Sequence, residues 1–200
     1  MDREVAAARP FGQVVVGPAA LETALRGDVA RVISFGLCGG LDPTLTAGDL
    51  VIGTWVHFGD ERYPIDEDWL RGLSRSLPEA TAGGIVGTNA IVAGADAKAA
   101  LRAASGGVAA DMESHHAAKM ASEAGVPFAV LRAVSDGAGE SLPACAQAGF
   151  RADGSVDVGA VVRGLLARPS EFPALMRTAR NAGKAMAALA EAARRLSSAR

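Results

Sequence analysis

The chain has 200 residues, half of them apolar and 21% charged, which suits one domain with a substantial core. Twenty Lys and Arg against 22 Asp and Glu leave a formal net charge of -2, without the basic excess that phosphate-backbone binding requires, so nucleic acid is not an expected partner. No apolar run approaches the roughly 20 residues of a membrane span, and Met1-Asp2-Arg3-Glu4 lacks a signal peptide's apolar core; a cytoplasmic protein without stable membrane insertion is expected.

Taken in chain order, short runs rich in Val and Ile predict strands over residues 13–16 (QVVV), 29–35 (VARVISF) and 50–54 (LVIGT). Further strands are expected at 84–86 leading to Thr88, at 108–110 and at 127–134 (PFAVLRAV). Between them, helix-like patterns cover 19–26, 69–76, 95–104 and 114–124. Pro169 and Pro173 bracket a turn, and 174–196 reads as one long Ala-rich amphipathic helix. Alternating strands and helices predict an α/β sheet with helices on both faces. Cys38 and Cys145 form no CxxC pair, and no metal-ligand spacing links His57, His115 and His116, so reduced thiols, no bound metal and surface or helix-face histidines are expected.

Three segments carry candidate chemistry. In Phe35-Gly-Leu-Cys-Gly-Gly-Leu-Asp-Pro43, Gly36, Gly39 and Gly40 either let the backbone approach a sugar or phosphate or simply make a tight turn. A dinucleotide fingerprint does not fit, because GxxGG is followed by Asp42-Pro43 and no helical pattern. In Ala110-Asp-Met-Glu-Ser114, an acidic pair stands at a strand-to-helix junction; the ligand-site reading competes with Asp111 as a cap and Glu113 in the first turn. In Arg132-Ala-Val-Ser-Asp136, a buried strand ends on an acid, either a turn residue before Gly137 or a group that desolvation keeps protonated near neutral pH.

The order GLCGGLDPTL, AGDLVI, DMES and PFAVLRAVSD resembles the purine nucleoside phosphorylases and the methylthioadenosine/S-adenosylhomocysteine nucleosidases, which share GxAGGL…GD, [DE]MES/A and R-x-x-SD. Cys38 stands where that family usually has Ala. DERYPIDEDWL, DMESHHAAKMA and Ser141-Leu-Pro143 are similar to the branch associated with hopanoid biosynthesis, whose members act on adenosylhopane.

The resemblance implies a three-layer phosphorylase/hydrolase-like α/β fold with a mixed central sheet flanked by helices, in one domain over residues 1–200. It also implies cleavage of the N-glycosidic bond of an adenine nucleoside by water or phosphate, with no cofactor beyond phosphate as co-substrate, and a homo-oligomer, a dimer by default. Asp136 would protonate the purine at N7, with Ser135 orienting it; Glu113 would bind the ribose hydroxyls and Met112 the sugar face. Gly36 and Gly39 would line the pocket and Asn89 would lie in the base-binding segment. Arg3-Glu4-Val5 looks like the turn that carries the family's catalytic-region glutamate, here Glu4, with the strand that usually precedes it absent and a gap expected in the sheet.

Overall fold

Branched apolar runs pair as strands and Ala-rich amphipathic runs coil as helices in the computed structural model, which describes residues 5, 6, 8, 9, 12–149 and 157–198. Among these, six strands form one sheet: β1 (Val32–Gly40), β2 (Leu50–Phe58), β3 (Glu61–Pro64), β4 (Thr81–Gly87), β5 (Ala109–Asp111) and β6 (Phe128–Asp136). Their spatial order is β3-β2-β4-β5-β1-β6. β1 runs parallel to β6, and β4 runs parallel to both β2 and β5, whereas β1–β5 and β2–β3 are antiparallel. Residues 50–52 of β2 also pair antiparallel with 131–133 of β6, so five of the strands close into a ring and β3 extends it.

The helices are α1 (Pro18–Leu25), α2 (Glu67–Ser76), α3 (Ala95–Ser105), α4 (Ser114–Glu123), α5 (Ala144–Gln147), α6 (Val158–Ala167) and α7 (Phe172–Ser198). Asp66 caps α2 by accepting from the Trp69 amide at 2.9 Å, and Glu67 and Asp68 in the first turn complement the helix dipole. Val51, Ile52, Val56, Ile85, Val130, Leu131 and Val134 are fully or almost fully buried, each of them contributing about 1.5–3 kcal/mol of burial free energy. The small side chains Ala185, Ala192 and Ala193 bring α7 close to the sheet around Leu189.

The sheet departs from expectation in three places. Residues 13–16 form no strand; Val14 and Val15 are only half-buried and Val16 is exposed. The strand expected at 29–35 starts later and runs through the glycines to Gly40, because Gly36 to Gly40 pair with β6 on one side and β5 on the other instead of turning. The polar strand β3 and the helix α6 have too little pattern to stand out in sequence: Glu61 and Arg62 are exposed, and α6 buries no residue fully.

Candidate active site

The candidate residues gather where β5 and β6 end, and the pairing of β1 explains how. Gly36 lies beside Arg132, and Gly39 lies between Asp136 of β6 and Ala110 of β5. The register slips here: Cys38 pairs with Val134 and Gly39 with Asp136, leaving Ser135 as an extra residue on β6. Such a bulge re-aims the side chain that follows it. A Cβ on Gly39 would stand 3.4 Å from Asp136 Oδ2, in ordinary contact, so this position faces the carboxylate directly.

Asp136 is buried and held at both oxygens. Ser135 Oγ is 2.6 Å from Oδ1 and also 3.1 Å from the Cys38 carbonyl. Lys98 Nζ donates to Oδ2 at 2.5 Å, and Lys98, at 1% exposure, is more deeply buried than any other charged residue among those described. Besides its burial, this acid thus has a buried ammonium in direct contact, a partner the sequence did not suggest. Lys98 escaped sequence reading because a lone Lys on an Ala-rich helix normally extends to solvent.

The second acidic group is organised by Arg132. A guanidinium in an otherwise apolar strand needs buried partners. Its Nε lies 2.7 Å from Asp111 Oδ2, and Nη2 donates to Ser34 Oγ at 2.7 Å and Ser114 Oγ at 2.9 Å. Asp111 also accepts from the amides of Glu113 (3.1 Å) and Ser114 (2.8 Å) at the start of α4, but the N-cap residue is Glu113, not Asp111, and Glu113 precedes the first turn instead of lying in it. Glu113, with its side chain more than half exposed, stands 3.8 Å from Arg132 Nη1. The carboxylate is thus presented to solvent from a rigid, charge-paired base.

Beside Glu113 opens a cavity of about 1170 Å³. Met112, Glu113, His116 and Arg132 form one part of its wall; Val32, Ile33, Phe35, Trp69, Leu73 and Leu196 supply much of the apolar remainder, with residues 12–18 along one side. Asp136, Ser135, Gly36, Gly39 and Asn89 do not line it. Asn89 is exposed in the turn after β4, where Thr88 ties that turn to the end of β5 by donating from N (2.8 Å) and Oγ1 (3.2 Å) to the Asp111 carbonyl. Glu4 lies outside the described residues.

One of the three histidines falls differently from expectation. His115 is buried, not on a surface face: its ring stacks on Phe58 at 4.1 Å, and neither ring nitrogen has a partner. Burial, helped by His116, pulls its pKa down from 6.5 to about 4. His116 is exposed, and His57 is half-buried with Nδ1 unpartnered. Both cysteines are free and buried, and desolvation pushes each thiol up, away from the reactive thiolate. Among the described residues no cluster of three metal-ligating side chains occurs, and no helix is long and apolar enough to cross a membrane.

Comparison with solved structures places this architecture. Futalosine hydrolase of Helicobacter pylori superposes with a TM-score of 0.66 at 17% identity, over 92% of this chain and 77% of that one. The 5′-methylthioadenosine/S-adenosylhomocysteine nucleosidase of Neisseria meningitidis, in complex with methylthio-immucillin-A, gives 0.59 at 23% identity over 88% and 74%. The corresponding nucleosidase of Helicobacter pylori gives 0.56 at 20% over 62% of this chain, which spans 65% of that relative's length. At such identities the likeness concerns the fold. A search of curated protein sequences returned no match. Residues 5–193, however, match the sequence profile of the phosphorylase superfamily, nearly the whole chain and all six strands, and the chain belongs to that enzyme family.

Proposed function

We propose that this protein cleaves the N-glycosidic bond of an adenine nucleoside, with Asp136 facing the departing base and Glu113 the ribose. The observation that carries this reading is the pair of acids in opposite settings where β5 and β6 end on either side of β1: Asp136 buried against Lys98 and Ser135, Glu113 exposed on a base of Arg132 and Asp111. As the C1′–N9 bond breaks, its electron pair leaves with the base and positive charge develops on the ribosyl ring. A proton delivered to N7 neutralises the first, and a carboxylate accepting from the 2′- and 3′-hydroxyls favours the second. Water or phosphate attacks C1′. Ser135 orients Asp136 and Met112 packs on the sugar.

The substrate's 5′ side gives the reading its finer form. The cavity that starts at Met112 and Glu113 has more apolar than polar wall residues, although Asp28, Arg31 and Asp68 also line it, and its volume exceeds what a small alkylthio group needs. This favours a nucleoside carrying a large apolar 5′ substituent, such as adenosylhopane, in hopanoid biosynthesis. The likeness to methylthioadenosine/S-adenosylhomocysteine nucleosidases supports a second reading, in which those nucleosides are the substrates. A homodimer acting in the cytoplasm is the assembly we propose for either.

Free adenine released from adenosylhopane dispersed in detergent, 5′-methylthioadenosine and S-adenosylhomocysteine, each with and without phosphate, tests both. Faster release from adenosylhopane supports the apolar-cavity reading. Efficient cleavage of methylthioadenosine with adenosylhopane untouched supports the second reading and overturns the first. Release only when phosphate is present assigns phosphorolysis. No release from any of them removes the function proposed here.

A further inference from the structure

Lys98 projects from α3 into the interior with three protons to place, and the structure provides three acceptors: Asp136 Oδ2 at 2.5 Å, the Gly137 carbonyl at 2.8 Å and the Glu140 carbonyl at 3.1 Å. The loop supplying the two carbonyls is itself anchored, because Asn181 of α7 donates to the Glu140 carboxylate at 3.1 and 3.2 Å. A buried ammonium costs several kcal/mol of desolvation unless it is paired and fully hydrogen-bonded, and this one is. Two of its acceptors are amide carbonyls, which cannot carry a proton away. The remaining one is the carboxylate assigned to the leaving base.

From this geometry we infer that Lys98 is the positioning residue that holds the proton Asp136 delivers, a conclusion that rests on the role proposed above for Asp136. In the resting state the pair is ammonium and carboxylate. As the glycosidic bond lengthens, an Nζ–H bond of Lys98 breaks and an Oδ2–H bond forms. That O–H bond then breaks as N7–H forms, while the C1′–N9 electron pair departs with the base. Lys98 is left as a neutral amine beside the Asp136 carboxylate. The O–H proton of the attacking water or hydrogen phosphate, released when the new bond to C1′ forms, returns through solvent and Asp136 to Nζ. Adenine leaves neutral and the balance closes. Lys suits this task where Arg does not, since a guanidinium keeps its protons at any working pH.

The test compares two leaving groups. An adenine nucleoside needs protonation to leave, whereas p-nitrophenyl β-D-ribofuranoside releases a stable phenolate without it. Lys98→Met is expected to lower kcat for the adenine nucleoside about 100-fold or more and to change turnover of the nitrophenyl riboside less than about 3-fold. Equal losses on both substrates would mean that Lys98 only supports the fold, and no loss on either would remove it from the reaction. Lys98→Arg keeps the charge at the same place and separates the two parts of the inference: low adenine-nucleoside turnover with free adenine still bound supports proton holding, and full turnover overturns it. Asp136→Asn serves as the reference. If it shows the leaving-group signature and Lys98→Met does not, this inference alone fails; if it does not, the role of Asp136 fails first.

Discussion

Replacing His115 by Phe tests whether a buried, partnerless imidazole limits the protein's tolerance of acid. The ring is 3% exposed, lies flat on Phe58 at 4.1 Å and offers two nitrogens to no acceptor or donor. Its folded pKa of about 4 lies below the unfolded value of 6.5, so between these limits the unfolded chain binds the proton that the folded chain refuses. Stability is therefore fully present above pH 6.5 and falls as the pH drops toward 4. With 1.36 kcal/mol per unit, the difference amounts to about 3 kcal/mol once titration is complete, and to about 2 kcal/mol at pH 4.5. Phe fills a similar flat space without a charge to acquire. Urea unfolding at pH 7 and 4.5 on both proteins gives the comparison, and carboxylates that titrate in the same range cancel between them. The wild type is expected to lose about 2 kcal/mol more than His115→Phe on acidification. Identical pH dependence in the two would refute the reasoning, because the burial penalty would then not fall on His115.

Three further substitutions probe the site and its frame. Asp111→Ala removes the nearer of the two carboxylates paired with the buried Arg132 guanidinium, leaving the more distant, exposed Glu113, and should destabilise the fold by about 3 kcal/mol in chemical denaturation. Glu113→Gln exchanges a charged acceptor for a neutral amide and should weaken nucleoside binding several-fold while leaving free adenine unaffected in calorimetry; equal losses for both ligands would count against ribose contact. Gly84→Ala sets a methyl 1.9 Å from the Trp55 ring, whose other contacts include Arg62 at 4.1 Å, and should cost at least about 2 kcal/mol by thermal unfolding.

Much of this architecture is legible in the chain because the physics is local. Apolar runs ending in Asp111 and Asp136 mark strands whose carboxyl ends carry acids, and the helix read at 69–76 is present, starting two residues earlier at Glu67. What escaped was set by distant pairing. Residues 13–16 have strand composition but no partner strand among those described, and β3 exists only because Tyr63 and Pro64 pair with Val56 and Trp55. Lys98 takes its role from Asp136, 38 positions away, and no spacing announces it. Arg132 offered a usable signal: a lone guanidinium inside AVLRAV requires a buried acid, and Asp111 is the nearest upstream carboxylate in a comparable strand-end setting.

The closure of the sheet through β2 and β6 bears on how the chain folds. The residues it joins, 50–52 and 131–133, lie roughly 80 positions apart, and contacts of such long range must overcome a large loop-closure entropy before they reward it. During synthesis the first half of the sheet emerges with the β6 side of both β1 and β2 still lacking its partner, and exposed strand edges of this kind invite aggregation. β6 ends that exposure in a single step, since it pairs with β1 and β2 at once. The same strand carries Arg132 and Asp136, so refolding followed by an edge-binding dye and by return of turnover should show both signals changing together.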